Sequence, residues 1–163
     1  MAKQKILSKE DPEDRPVSNI INFGNKLIQK GDIYKAKKYY KNLIIKGNSH
    51  PKVLCQYAMI CQRIGLNDEA IIFYRKTLEL SSNDIDANVN LSNIYLEKGN
   101  LEEAKDLSQK AIRIRPDYSE PYKSLSNILK QLGNIEESTK VLLKAISLEP
   151  SYVIGYYNLG NRL

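Results

Sequence analysis

The chain has 163 residues, of which 42% are hydrophobic and 27% charged, and its formal net charge is +6. That length and balance suit a globular domain with its own core. Two Cys and one His exclude a disulfide framework and a zinc site, and no run approaches the roughly 18 apolar residues of a membrane span, so a cytoplasmic protein without metal or cofactor is expected.

The first 16 residues, MAKQKILSKEDPEDRP, carry four basic and four acidic residues and no apolar segment of the secretory type. A mixed-charge run with two prolines cannot bury apolar area, which predicts a disordered N-terminal segment over 1–16. From Val17 onward the chain repeats itself. Gly31, Gly65, Gly99 and Gly133 are each 34 residues apart. They divide the chain into units 17–50, 51–84, 85–118 and 119–152, with a fifth, 153–163, that breaks off. The wording recurs as well: LSNIYLEKGNLEEA (91–104) and LSNILKQLGNIEES (125–138) agree at eight of fourteen positions.

Each unit predicts two helices. In the first, apolar residues recur at helical spacing: Phe23, Tyr57, Leu91, Leu125 and Leu159 at position seven, and Leu27, Cys61, Tyr95, Leu129 and Leu163 at position eleven. The glycine then ends that helix in a left-handed conformation. In units three and four the second helix opens with NLEE and NIEE, where Asn100 with Glu103 and Asn134 with Glu137 read as capping boxes. It runs to Ile114 or Leu148, before Pro116 and Pro150. Small residues sit where the two helices must touch: Gly24, Ala58, Ser92, Ser126 and Gly160 at position eight, and Ala36, Ala70, Ala104 and Ser138 at position twenty. A pair this short cannot bury its apolar face alone, so successive pairs must stack. Asn88 and Ser108, polar at large positions, predict looser packing in unit three. With eleven Tyr, two Phe and no Trp, the tyrosines are expected to pack between helices with their hydroxyls in water.

Charge is uneven along these units. Residues 17–50 hold seven Lys and one acid, whereas the later units sum to between −1 and zero. Lys35, Lys37, Lys38 and Lys41, on the second helix of unit one, form a candidate docking patch for an acidic partner. No nucleic-acid motif accompanies them. Cys55 and Cys61, six apart, read as reduced structural thiols. His50, alone in a loop, lacks the partners that acid–base work needs, and the acidic pairs at helix starts fit helix-dipole chemistry. No catalytic constellation emerges, so the chain reads as a non-enzyme.

The combined pattern resembles the tetratricopeptide repeat over residues 17–163: Gly at position eight in two units, Gly at fifteen in four, Ala or Ser at twenty, Tyr40 and Tyr74 at twenty-four, Ala111 and Ala145 at twenty-seven, and Pro116 and Pro150 at thirty-two. It departs at position four, where the usual Trp is replaced by Ile20, Leu54, Asn88, Tyr122 and Tyr156. The resemblance implies an all-α, right-handed solenoid of antiparallel helix pairs, four full repeats plus one extra helix. It also implies that the first helices line a concave groove, giving Asn22, Asn25, Gln56, Met59, Arg63, Asn90, Asn93, Ser124, Asn127, Asn158 and Asn161 as candidate peptide-binding residues.

Side-chain amides offer both donor and acceptor, so such a row suits the main chain of an extended peptide. The family's carboxylate clamp for acidic chaperone tails is disfavoured: its frames fall on Ile21, Asn25, Gln56, Asp86 and Asn90, or on Cys55, Met59, Asn90, Glu120 and Ser124, without a cation. The amide row is also similar to the repeats preceding the catalytic half of O-linked N-acetylglucosamine transferases. The expected function is a protein-interaction scaffold; the alternatives are a substrate-presenting arm of such a glycosyltransferase and an adaptor for an acidic partner. The broken fifth unit predicts an uncovered apolar strip through Leu163, fit for end-to-end self-association over 153–163.

Overall fold

The computed structural model describes residues 16–160 and folds them into α1 (Val17–Gln29), α2 (Ile33–Ile45), α3 (Pro51–Arg63), α4 (Asn67–Leu80), α5 (Ile85–Glu97), α6 (Leu101–Ile114), α7 (Ser119–Gln131), α8 (Ile135–Leu148) and α9 (Val153–Gly160). Apart from Pro16, the segment expected to be disordered lies outside the described residues, as do Asn161 and Leu163.

The turn inside each repeat follows from its glycine. Gly99 has φ of 79°; its N–H donates to Leu96 O at 3.1 Å, and the Asn100 N–H donates to Tyr95 O at 2.8 Å. These two bonds satisfy carbonyls that the end of α5 would otherwise leave orphaned. Gly31, Gly65 and Gly133 close the same pair of bonds in the other repeats.

This turn overrides the expected capping boxes. Asn100 and Asn134 occupy the N-caps of α6 and α8, but neither side chain bonds to its helix. Their ψ angles are 71° and 64°, against 129° at His50 and 113° at Asp84, whose side chains do cap α3 and α5. A residue directly following a left-handed glycine is held short of the extended conformation from which a side chain reaches the first-turn amides. His50, expected as a bare loop residue, is thus the cap of α3, its Nδ1 accepting from the Lys52 N–H at 3.2 Å.

The small residues meet as expected. Ser92 Oγ donates to Ala104 O at 2.8 Å and Ser126 Oγ to Ser138 O at 3.1 Å, so positions eight and twenty are in contact in repeats three and four. Beside Gly24 lies the Tyr40 ring, with Cε2 only 2.6 Å from where a Cβ would stand. Among the described residues the buried Tyr40 hydroxyl has no hydrogen-bond partner, so its expected contact with water fails; the tight approach over Gly24 shuts water out. The polar residues of repeat three lie inside it. Asn88, Ser92 and Ser108 are fully buried. Asn88 Nδ2 donates to Ser82 O at 3.1 Å and Asp84 O at 2.7 Å, and the Ser92 and Ser108 hydroxyls stand 2.6 Å apart. These bonds satisfy the buried donors, while Asn88 Oδ1 is buried with no hydrogen-bond partner among the described residues.

Each helix packs on the next, and the first helices of successive repeats also touch one another: α1 with α3, α3 with α5, α5 with α7. The second helices are spread apart, and a cavity of about 560 Å³ opens between α4 and α6, floored by Leu78, Leu91, Tyr95 and Leu107. Odd-numbered helices therefore form the inner layer and even-numbered helices the outer one. At the far end α9 docks through Gly155, which is buried where a Cβ would strike Tyr152 and Ile146. Leu159 is half-buried, whereas Val153 (76%), Ile154 (63%), Tyr156 (51%) and Tyr157 (69%) are exposed. An apolar strip is present, carried among the described residues by those four side chains.

Candidate functional site

On the inner face, α3 presents Lys52, Gln56, Met59 and Arg63 at helical spacing, a stripe about 16 Å long. Two adjoining cavities flank it. One, of about 230 Å³, is lined by Ile21, Lys52, Cys55, Gln56, Asp84 and Asp86. The other, of about 280 Å³, is lined by Asn25, Ile28, Gln56, Met59, Ile60 and Arg63. Gln56 belongs to both and forms the wall between them.

The expected row of amides splits into two groups. Asn25, Gln56, Met59 and Arg63 border the cavities, with Asn22 exposed nearby on α1. Further along, the amides hold the solenoid together. Ser124 Oγ donates to Asn93 Oδ1 at 2.6 Å, tying repeat three to repeat four. Tyr74 Oη donates to Gln62 Oε1 at 2.8 Å, and Asn90 is half-buried on α5. Asn127 and Asn158 are half-buried on α7 and α9, and Asn161 lies outside the described residues. Asp84 was missed as a lining residue; its only sequence signal is its place as the last residue of unit two, just ahead of α5.

Burial, and then the charge of Asp84, hold the Asp86 carboxyl above its ordinary range, with Arg115 opposing. Burial also pushes the Cys55 thiol up, and pushes Cys61 up to about 11. Both thiols are free and buried, so they stay protonated at neutral pH and are poor nucleophiles. Among the described residues no group of three or more His, Cys, Asp and Glu could hold a metal ion, and no helix is long and apolar enough to cross a membrane.

The lysines of α2 divide as well. Lys37 Nζ is 3.0 Å from Glu69 Oε2, and Tyr57 Oη donates to Glu69 Oε1 at 2.6 Å. Lys35 pairs with Asp32 at 3.1 Å. Lys38 and Lys41 are exposed. The Tyr57 hydrogen bond is the largest influence holding Glu69 below its ordinary value, followed among the lowering effects by Lys37. A depressed carboxylate stabilises the fold fully above the unfolded value, about 4.3 for Glu, and loses that contribution as pH falls through the folded value. Glu69→Gln is therefore expected to cost about 1 kcal/mol at pH 7. The thermal melts of variant and parent should converge on acidification; a gap that stays constant with pH would refute the assignment.

Tetratricopeptide repeat models match residues 49–117 and 127–162, together more than half of the chain. A TPR repeat-containing protein of Synechococcus elongatus is 30% identical over 114 residues, covering 66% of this chain, which spans only 28% of that relative. Among solved structures, MamA superposes with a TM-score of 0.78 at 24% identity, over 85% of this chain and 81% of that one. PilF of Pseudomonas aeruginosa gives 0.80 at 19% identity, over 90% and 67%. YrrB, described as a TPR protein with an unusual peptide-binding site, gives 0.76 at 17% identity, over 85% and 72%. These likenesses match the architecture built above, a solenoid of stacked helix pairs, and the chain belongs to the tetratricopeptide repeat family.

Proposed function

We propose that the chain is a protein-interaction scaffold that holds an extended segment of a partner against the inner face of repeats one and two. The observation that carries this reading is the pair of adjoining cavities walled by Gln56. Each is smaller than the roughly 300–1,000 Å³ of small-molecule sites and suits a single side chain. The Gln56 amide between them can both donate to and accept from a passing main chain. The chain binds rather than catalyses: its buried thiols are unactivated, and its one His is committed to capping α3.

In a longer enzyme the same face would serve as a substrate-presenting arm. The exposed amides of Asn22 and Asn25 beside the cavities favour that use over docking an acidic partner on α2, where Lys35 and Lys37 are already ion-paired.

The test is an array of capped peptides probed with the labelled protein. Gln56→Ala should weaken the selected peptides about three- to tenfold, the equivalent of one lost amide pair, and leave the melting temperature unchanged. Asn93→Ala should do the reverse, because its amide serves the scaffold. Peptides held equally well by Gln56→Ala and by Met59→Asp would place the binding surface elsewhere and sink the reading.

A further inference from the structure

The two cavities differ in chemistry. The Met59 cavity has three apolar side chains, Ile28, Met59 and Ile60, and methionine adapts to varied apolar shapes. The other cavity combines an apolar wall at Ile21 and buried Cys55 with two carboxylates. Those carboxylates are not equivalent. Asp84 is occupied, its Oδ1 accepting from the Ala87 N–H at 2.9 Å and from Cys55 Sγ at 3.8 Å. Asp86, in the first turn of α5, makes no ion pair or hydrogen bond with any described residue. Lys52 lines the same cavity yet pairs with neither acid. Asp86 is thus an uncommitted carboxylate, exposed at the rim of the cavity beside the like charge of Asp84, with Arg115 acting on it as the opposing charge. A cation entering the cavity relieves that repulsion, and an acid entering it adds to it.

We propose that the groove selects a segment carrying a Lys or Arg side chain for the Asp84/Asp86 cavity and an apolar side chain for the Met59 cavity. The proposal rests on the groove reading above and names its partner class. Because the cavities share the Gln56 wall, the two side chains belong on the same side of an extended chain, at i and i+2. The inversion is legible against the family's clamp: where that clamp needs a cation, this chain has Asp86.

Four fluorescein-labelled nonapeptides, capped at both ends and identical but for a central triplet, test it by anisotropy. The triplets are Arg-Ser-Leu, Glu-Ser-Leu, norleucine-Ser-Leu and Arg-Ser-Ser. Arg-Ser-Leu is expected to bind tightest, about tenfold over Glu-Ser-Leu, the size of a charge-assisted hydrogen bond. Asp86→Asn should reduce it to the norleucine level, and Asp86→Lys should invert the Arg and Glu ranking. Asp86 bonds to no described residue and faces Asp84, so Asp86→Asn should melt no lower than the parent; Asp84, which caps α5, is left unaltered. If the ranking survives Asp86→Lys while Met59→Asp abolishes binding of every probe, charge selection falls and the groove stands. If no probe binds, or binding is indifferent to Met59→Asp, both readings fall.

Discussion

Tyr74→Ala is expected to cost about 3–5 kcal/mol, the range for deleting a buried aromatic ring. Tyr74 on α4 is fully buried and belongs to the central cluster, with Tyr57, Ala58, Cys61 and Tyr95. Its hydroxyl donates to Gln62 Oε1 at 2.8 Å, so truncation opens a cavity and strips that amide of a partner. Against a total stability of about 5–15 kcal/mol, this is enough to unfold much of the population on mild heating. Tyr74→Phe keeps the ring and should lose only about 1 kcal/mol. Urea titration of both variants checks this; equal losses would show that the hydroxyl, and not the packing of the ring, is what matters. In a stacked solenoid each repeat leans on its neighbours. Hydrogen exchange in Tyr74→Ala should therefore accelerate first in α3 and α4 and then in repeat one.

Gly99→Val is expected to cost about 1–3 kcal/mol through the backbone alone. Beyond the glycine and its two chain neighbours, no atom of the described residues lies within 4 Å of where the new Cβ would stand, so no packed side chain is displaced. The whole effect comes from holding a β-branched residue at φ 79°. The strain bears on the hinge that aims α6 back along α5. Gly99→Asn, a residue that tolerates the left-handed region, should recover a good part of the loss. A Val variant that melts with the parent would contradict the geometry of this turn.

The legibility of the fold came from local rules applied four times over. The 34-residue glycine ruler located the turns, and the ends of α6 and α8 at Ile114 and Leu148 follow from Pro116 and Pro150. Gly47, with φ 101°, ends α2 in the same way but stands outside the ruler, because only repeat one carries it. The capping boxes failed for a reason that no spacing reveals. The motif was present, but the preceding glycine turn had already set the backbone angle of Asn100 and Asn134. In repeat three the spacing marks Asn88 and Ser108 as buried polar residues but does not reveal the carbonyls and the hydroxyl they bond.

The sequence by itself determined which elements exist, where they turn and which of their faces are apolar, because glycine conformation and helical periodicity act within a few residues. It also named most of the residues that border the inner cavities. Which of those residues remain available was decided only by the tertiary structure. Asn93 and Ser124 look the same as Asn25 and Gln56 in the repeat pattern, yet the first two are bonded to each other between repeats three and four. Lys37 likewise read as a free surface cation until Glu69, 32 residues away, was folded beside it. A polar side chain is free or engaged according to what the next repeat places opposite it, and that depends on how the helix pairs stack.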